Sequence, residues 1–139
     1  MSGTIVATGS TIAIKKTIAL LLPILAAVES GNNPAAIGDG GRAVGSLQIH
    51  KSYWTDACES LGVNWPYSYA KDPDYAVKAA EAYLVRYGRA YENKYGKPAT
   101  MEILSRLHNG GPEGANPKKK KKYAATSIYW AMVKKKIHN

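Results

Sequence analysis

Residues 17–28 contain no charged side chain and run directly into Glu29-Ser30-Gly31. A stretch this apolar must be buried, and the acid at its end must then sit at the edge of whatever buries it. From Ile18 to Val28 the apolar run is about 11 residues, short of the roughly 20 that cross a bilayer. Lys15-Lys16 ahead of it also resembles the charged start of a targeting segment. There is no separate cleavage site before Glu29, so the run is read as a buried core helix and the protein as not transmembrane. Pro23 implies that the helix either starts near it or bends there. Gly31 is a natural stop.

The rest of the chain follows from punctuation and period. Residues 1–16 are small, polar and β-branched without a clear period, and are expected to form an extended N-terminal arm ahead of one domain over 17–139. Ala36-Ile37-Gly38, Asp39-Gly40-Gly41 and residues 43–49 read as a β-hairpin with a Gly-rich turn, with Gln48 on its second strand. Ser52 is expected to cap a helix carrying Tyr53, Trp54, Ala57 and Leu61. Asp72-Pro73 opens a long helix with Val77, Ala80, Leu84, Tyr87 and Tyr91 spaced by three and four. Thr100 starts a shorter helix stopped by Asn109-Gly110-Gly111-Pro112. A last helix carries Ala124, Ile128, Ala131 and Val133. Five lysines before it oppose its dipole, so its start is placed near Tyr123. The expected class is α+β, mainly helical with a small antiparallel hairpin.

Charge is concentrated at one end. Of the net +9, eight lysines and no acid fall in residues 118–139, leaving 11 basic against 10 acidic groups in residues 1–117. Lys118, Lys119, Lys120, Lys121 and Lys122 form the densest run. Such a patch attracts polyanions, whether wall polymer, anionic lipid or nucleic acid, or is simply a solvated face; no specific nucleic acid is expected. A non-catalytic basic module that grips wall or nucleic acid is therefore a second reading of the chain. Cys58 is the single cysteine, so no disulfide can form within the chain and stability must come from packing. His50, His108 and His138 are not spaced as a ligand set, so neither a metal nor another cofactor is expected.

An acid that ends an apolar helix is desolvated, which raises its pKa and keeps it protonated near neutrality. Glu29 has that setting. Asp39 lies in a polar, Gly-rich turn, where water and backbone N–H groups favour the ionised form. Two carboxylates in opposite environments are what glycosidic cleavage divides between proton donor and second carboxylate. Taken singly, Glu29 could be a solvated helix-end acid and Asp39 a turn former. Gln48 could read an acetamido sugar or face outward from its strand. Tyr53, Trp54 and Trp65 could stack on sugar faces or pack in the core.

The motifs, taken in order, resemble invertebrate-type (destabilase-like) lysozymes. They are Glu29-Ser30-Gly31, Ile37-Gly38-Asp39, Gly45-Ser46-Leu47-Gln48-Ile49, Tyr53-Trp54-Thr55-Asp56 and Tyr83-Leu84-Val85-Arg86-Tyr87-Gly88. The most distinctive stretch, Arg106 through His108-Asn109-Gly110-Gly111-Pro112 to Gly114, is followed by Tyr129-Trp130-Ala131-Met132-Val133. The resemblance spans about residues 20–137. It implies a lysozyme-like fold and hydrolysis of peptidoglycan between N-acetylmuramic acid and N-acetylglucosamine. Glu29 would be general acid/base and Asp39 the second carboxylate, with Ser46, Gln48, Tyr53, His108 and Asn109 as substrate-binding candidates. Animal members are rich in disulfides, so a chain with none resembles a microbial or phage member, bacteriolytic and endolysin-like, virion-associated or secreted. An aromatic often stands in the family where this chain has Ser46. The Glu-Ser-Gly and Gly-x-x-Gln pieces also resemble lytic transglycosylases, in which Glu29 would act alone and Asp39 would only support.

Overall fold

The computed structural model describes residues 2–138, with side chains described from Ser10 onward. The elements run α1 (Ser2–Ser30), β1 (Ile37–Gly38), β2 (Ala43–Val44), α2 (Lys51–Leu61), α3 (Pro73–Tyr95), α4 (Met101–Gly110) and α5 (Lys120–Ile137). Single 3-10 turns cover Asp39–Gly41 and Tyr67–Lys71. The class is the expected one, mainly helical with one small antiparallel sheet.

The apolar run is indeed the central helix. Ile14, Ile18, Leu21 and Leu25 follow one face at steps of four, three and four, and all are buried. Burying each such side chain stabilises the fold by about 1.5–3 kcal/mol, and this face packs on α3, α4 and α5. The helix does not start near Pro23 but continues through it. Proline has no N–H to offer the carbonyl of Ala19, but both residues are exposed, so water can take that place. The expected extended arm is not extended: residues 2–16 continue α1, and Met1 lies outside the described residues. Lys15 and Lys16 interrupt the apolar run in sequence yet point outward, while Ile14 falls in register with Ile18. As a result Ser10–Ser30 forms a 21-residue segment that is long and apolar enough to cross a membrane by length and composition, although one face is built into the core.

Gly31 ends α1 with φ 67°, a conformation glycine reaches without strain. Its N–H bonds the Ala27 carbonyl at 3.0 Å and that of Asn32 bonds Ala26 at 3.1 Å, satisfying the last turn. Ser30 Oγ donates to the Ser46 carbonyl at 2.8 Å and ties the helix end to the hairpin. That hairpin is shorter than its sequence suggested. Ile37 pairs with Val44 and Gly38 with Ala43, and Val44 makes a single bridge to Ile49. Residues 45–48 form a turn closed by Gln48 N–H on the Gly45 carbonyl at 3.0 Å, so Gln48 is not on a strand.

Helix starts were partly legible. Asp72 accepts from the Asp74 N–H at 2.9 Å with Pro73 behind it, and Thr100 Oγ1 accepts from Ile103 N–H at 3.3 Å. At α2, His50 occupies the cap position without a side-chain cap bond, and Ser52 lies inside the first turn. α5 begins at Lys120, three residues before the expected Tyr123. The dipole penalty for lysines there is only a few tenths of a kcal/mol each, less than burying Thr126, Tyr129 and Val133 gains. That buried stripe is offset from the expected one. Ile128 is 68% exposed, and Val77 on α3 is likewise exposed. Cys58 is buried and free.

Candidate active site

Glu29 is delivered by the last turn of α1 to a point where α4 and α5 also arrive. The Tyr129 hydroxyl on α5 donates to Glu29 Oε2 at 2.8 Å, and His108 Nε2 on α4 stands 3.5 Å from the same oxygen. Both neighbours address Oε2, which leaves Oε1 to carry the proton. Burial raises the carboxyl from 4.5 to about 7, with the Tyr129 hydrogen bond pulling the other way. Burial and the nearby Glu29 push the Tyr129 hydroxyl well up, so it stays a donor.

His108 is buried, and desolvation pushes its pKa down to about 4. It is therefore neutral at physiological pH, and its approach to Glu29 is not an ion pair. Nε2 bonds the Leu47 carbonyl at 3.0 Å and Nδ1 meets the Tyr53 hydroxyl at 2.9 Å. A carbonyl only accepts, so the proton is assigned to Nε2 and the Tyr53 hydroxyl donates to Nδ1. A charged imidazole here would hold Glu29 ionised; a neutral one lets burial decide.

A cleft of about 410 Å³ opens in front of these groups, lined by Glu29, Asp39, Gln48, His50, His108 and Asn109. Asp39 faces it from the hairpin turn with φ 50°, a left-handed conformation that aspartate tolerates better than most residues. Its two oxygens are met separately, Oδ1 by Arg42 Nη2 at 3.2 Å and Oδ2 by His50 Nε2 at 3.3 Å. The carboxylate is half exposed, in contrast to Glu29.

Five of the seven expected site residues thus share one cleft, and two do not. Gln48 reaches the cleft, but its amide nitrogen donates to the Ala36 and Gly45 carbonyls at 3.3 and 3.0 Å, bracing the hairpin. Tyr53 lies behind His108, stacked on Tyr83 with centroids 3.6 Å apart, and is buried. Ser46 lines a separate apolar cavity of about 360 Å³ with Leu22, Pro23 and Val77. Trp54 is core, its indole N–H bonding the Trp65 carbonyl at 2.9 Å. Tyr129, His50 and Arg42 are neighbours of the two acids that the sequence did not single out. Tyr129 is 100 positions from Glu29, and no local pattern links them. Among the described residues no group of three His, Cys, Asp or Glu could hold a metal ion.

A core helix ending on a half-buried acid, set across a polar cleft from a short hairpin, is the arrangement of a lysozyme-like domain. The family model described as the transglycosylase SLT domain matches residues 13–131, and the chain belongs to that family. It is 39% identical over 90 residues to a lysozyme of Ostrea edulis, covering 65% of this chain and 57% of that one. An invertebrate-type lysozyme of Ruditapes philippinarum is 31% identical over 96 residues, 69% of this chain and 62% of its own length. A lysozyme of Magallana gigas is 32% identical over 108 residues, covering 76% and 70%. The chain therefore spans about three fifths of the length of the first two relatives. No solved structure matches.

Proposed function

We propose that this chain is a peptidoglycan muramidase that hydrolyses the β-1,4 bond between N-acetylmuramic acid and N-acetylglucosamine. The observation that carries the reading is the Glu29 carboxyl, half-buried at the edge of a polar cleft, where desolvation raises its pKa to about 7. Glu29 Oε1 gives its proton to the bridging oxygen as the bond to the anomeric carbon breaks. Asp39 supplies the negative charge that the oxocarbenium-like centre needs, either as a stabiliser or by forming a transient ester. Glu29, now ionised, takes a proton from the water that completes hydrolysis. A muramidase domain whose single cysteine allows no internal disulfide fits a bacteriolytic, endolysin-like role in a microbe or phage. Its lysine-rich end would concentrate it near an anionic wall at long range.

Catalysis by this route needs Glu29 protonated. Activity should therefore fall about tenfold per pH unit once the pH passes about 7. The Tyr129 bond stabilises the ionised carboxylate, so Tyr129→Phe should move that alkaline limb to higher pH. A kcat/KM profile with an unmoved or lowered limb would contradict the assignment of this limb to Glu29.

A lytic transglycosylase is the second reading, favoured by the description of the matching family model and by the occupation of both Asp39 oxygens. There the substrate's own 6-hydroxyl attacks in place of water, and Glu29 alone moves the proton. Asp39→Asn separates the two. For the muramidase, lysis should fall on the order of 100-fold with only reducing-end products. Near wild-type lysis with 1,6-anhydro ends in the mass spectrum would replace it with the transglycosylase.

A further inference from the structure

We propose that the outer face of α5 is a docking surface for an anionic phospholipid layer. α5 turns Thr126, Tyr129 and Val133 to the core, and the opposite stripe is left to solvent. That stripe reads Lys121, Ala124, Ile128, Ala131 and Lys135 at steps of three and four, with Met132 beside it, all exposed. Ile128 is 68% and Met132 50% exposed, on the helix that also bears the densest positive charge of the chain. From Lys121 to Lys135 the stripe runs 14 residues, about 21 Å at 1.5 Å per residue.

Residues 118–139 hold eight lysines and no acid, and among the described residues none of these lysines joins an ion pair. The cluster at the start of α5 also opposes the helix dipole, so it does not serve to cap the helix. The complement of this surface is therefore negative. The apolar centre selects among negative partners. A linear polyanion takes up the lysines but leaves Ile128 and Met132 in water. A lipid interface receives both: the two apolar side chains enter the headgroup boundary, and lysines at each end extend their ammonium groups to the phosphates. The proposal stands apart from the glycan chemistry, since neither Glu29 nor its cleft takes part.

Sedimentation with vesicles tests it. The full chain should bind vesicles of equal phosphatidylglycerol and phosphatidylcholine at least about tenfold more tightly than phosphatidylcholine alone. The double variant Ile128→Asn with Met132→Asn changes only exposed positions and keeps every charge. It should lose about fivefold or more of vesicle binding while its binding to soluble polyphosphate stays within about twofold. Lys121→Gln with Lys135→Gln should weaken both. Absence of preference for the anionic vesicles would overturn the proposal. So would a smaller loss in the double Asn variant, which would make the patch a site for polyanions of the wall type.

Discussion

Replacing Glu29 with Gln is expected to lower wall lysis by about 1,000-fold or more while making the protein more stable above neutral pH. The first effect follows from removing the proton donor with a raised pKa that, among the described residues, lines the cleft; a positioned general acid is worth about 100- to 10,000-fold. The second follows from the cost of burying a charge. The Glu29 pKa is higher in the folded protein, about 7 against 4.5 for an exposed carboxyl, so folding favours its protonated form. The associated stability is complete below about pH 4.5 and is lost as the pH rises to about 7, amounting to about 3 kcal/mol. Gln keeps the shape, can accept from Tyr129 and has nothing to ionise. Melting temperatures should therefore coincide near pH 4, and the variant should melt on the order of 10 °C higher at pH 8. Equal stability of the two proteins at pH 8 would mean that Glu29 is not desolvated. Full lysis by the variant would remove it from the chemistry.

Gly114→Ala is expected to destabilise the protein by about 3 kcal/mol, although Gly114 lies in a loop and contacts no substrate-facing group. A Cβ at this position would stand 2.1 Å from the Arg106 carbonyl oxygen and 3.0 Å from Gly110 Cα, both backbone atoms of α4. Neither can move without shifting the helix that holds His108 behind Glu29. The Gly114 carbonyl also accepts from Thr126 Oγ1 at 2.7 Å, and Arg106 Nη1 donates to Thr126 Oγ1 and Ser127 Oγ at 3.1 and 2.9 Å. The loop is thus clamped between α4 and α5, and displacing it disturbs a buried polar network. Gly40→Ala is the control. Gly40 has φ 64° but open space around it, so only the backbone conformation resists, at about 1 kcal/mol. Chemical denaturation should rank the two clearly; a Gly114 variant no less stable than the Gly40 variant would contradict the close approach.

This pairing of α4 and α5 also explains the reach of the sequence. Arg106 to Gly114 was the most distinctive stretch of the resemblance, and two of its glycines make physical sense only in three dimensions, Gly114 against the Arg106 and Gly110 backbone and Gly110 against Thr126 of α5. Helix starts at Asp72 and Thr100 could be read because a cap is a contact between residues two or three apart. The inward face of α5 could not. The sequence placed Ile128 and Val133 on it together, and packing against α1 and α4 buries Val133 and leaves Ile128 exposed. Residues 2–16 were misread for a related reason: weak local propensity gave no helix, but burial of Ile14 beside the rest of α1 extends it.

The order of residues alone determined that an apolar helix ends on an acid, that a Gly-rich hairpin with a second acid follows, and that positive charge collects at the far end. These are short-range facts, set by hydrophobic period, capping and composition. Tertiary structure decided what Glu29 is. Its pKa is raised by enclosure among residues distant in sequence, beside a neutral His108 held by Leu47 and Tyr53, and a hydroxyl from Tyr129, 100 residues away, opposes the rise. Desolvation and hydrogen bonding act through space over a few ångströms, and proximity along the chain does not report them.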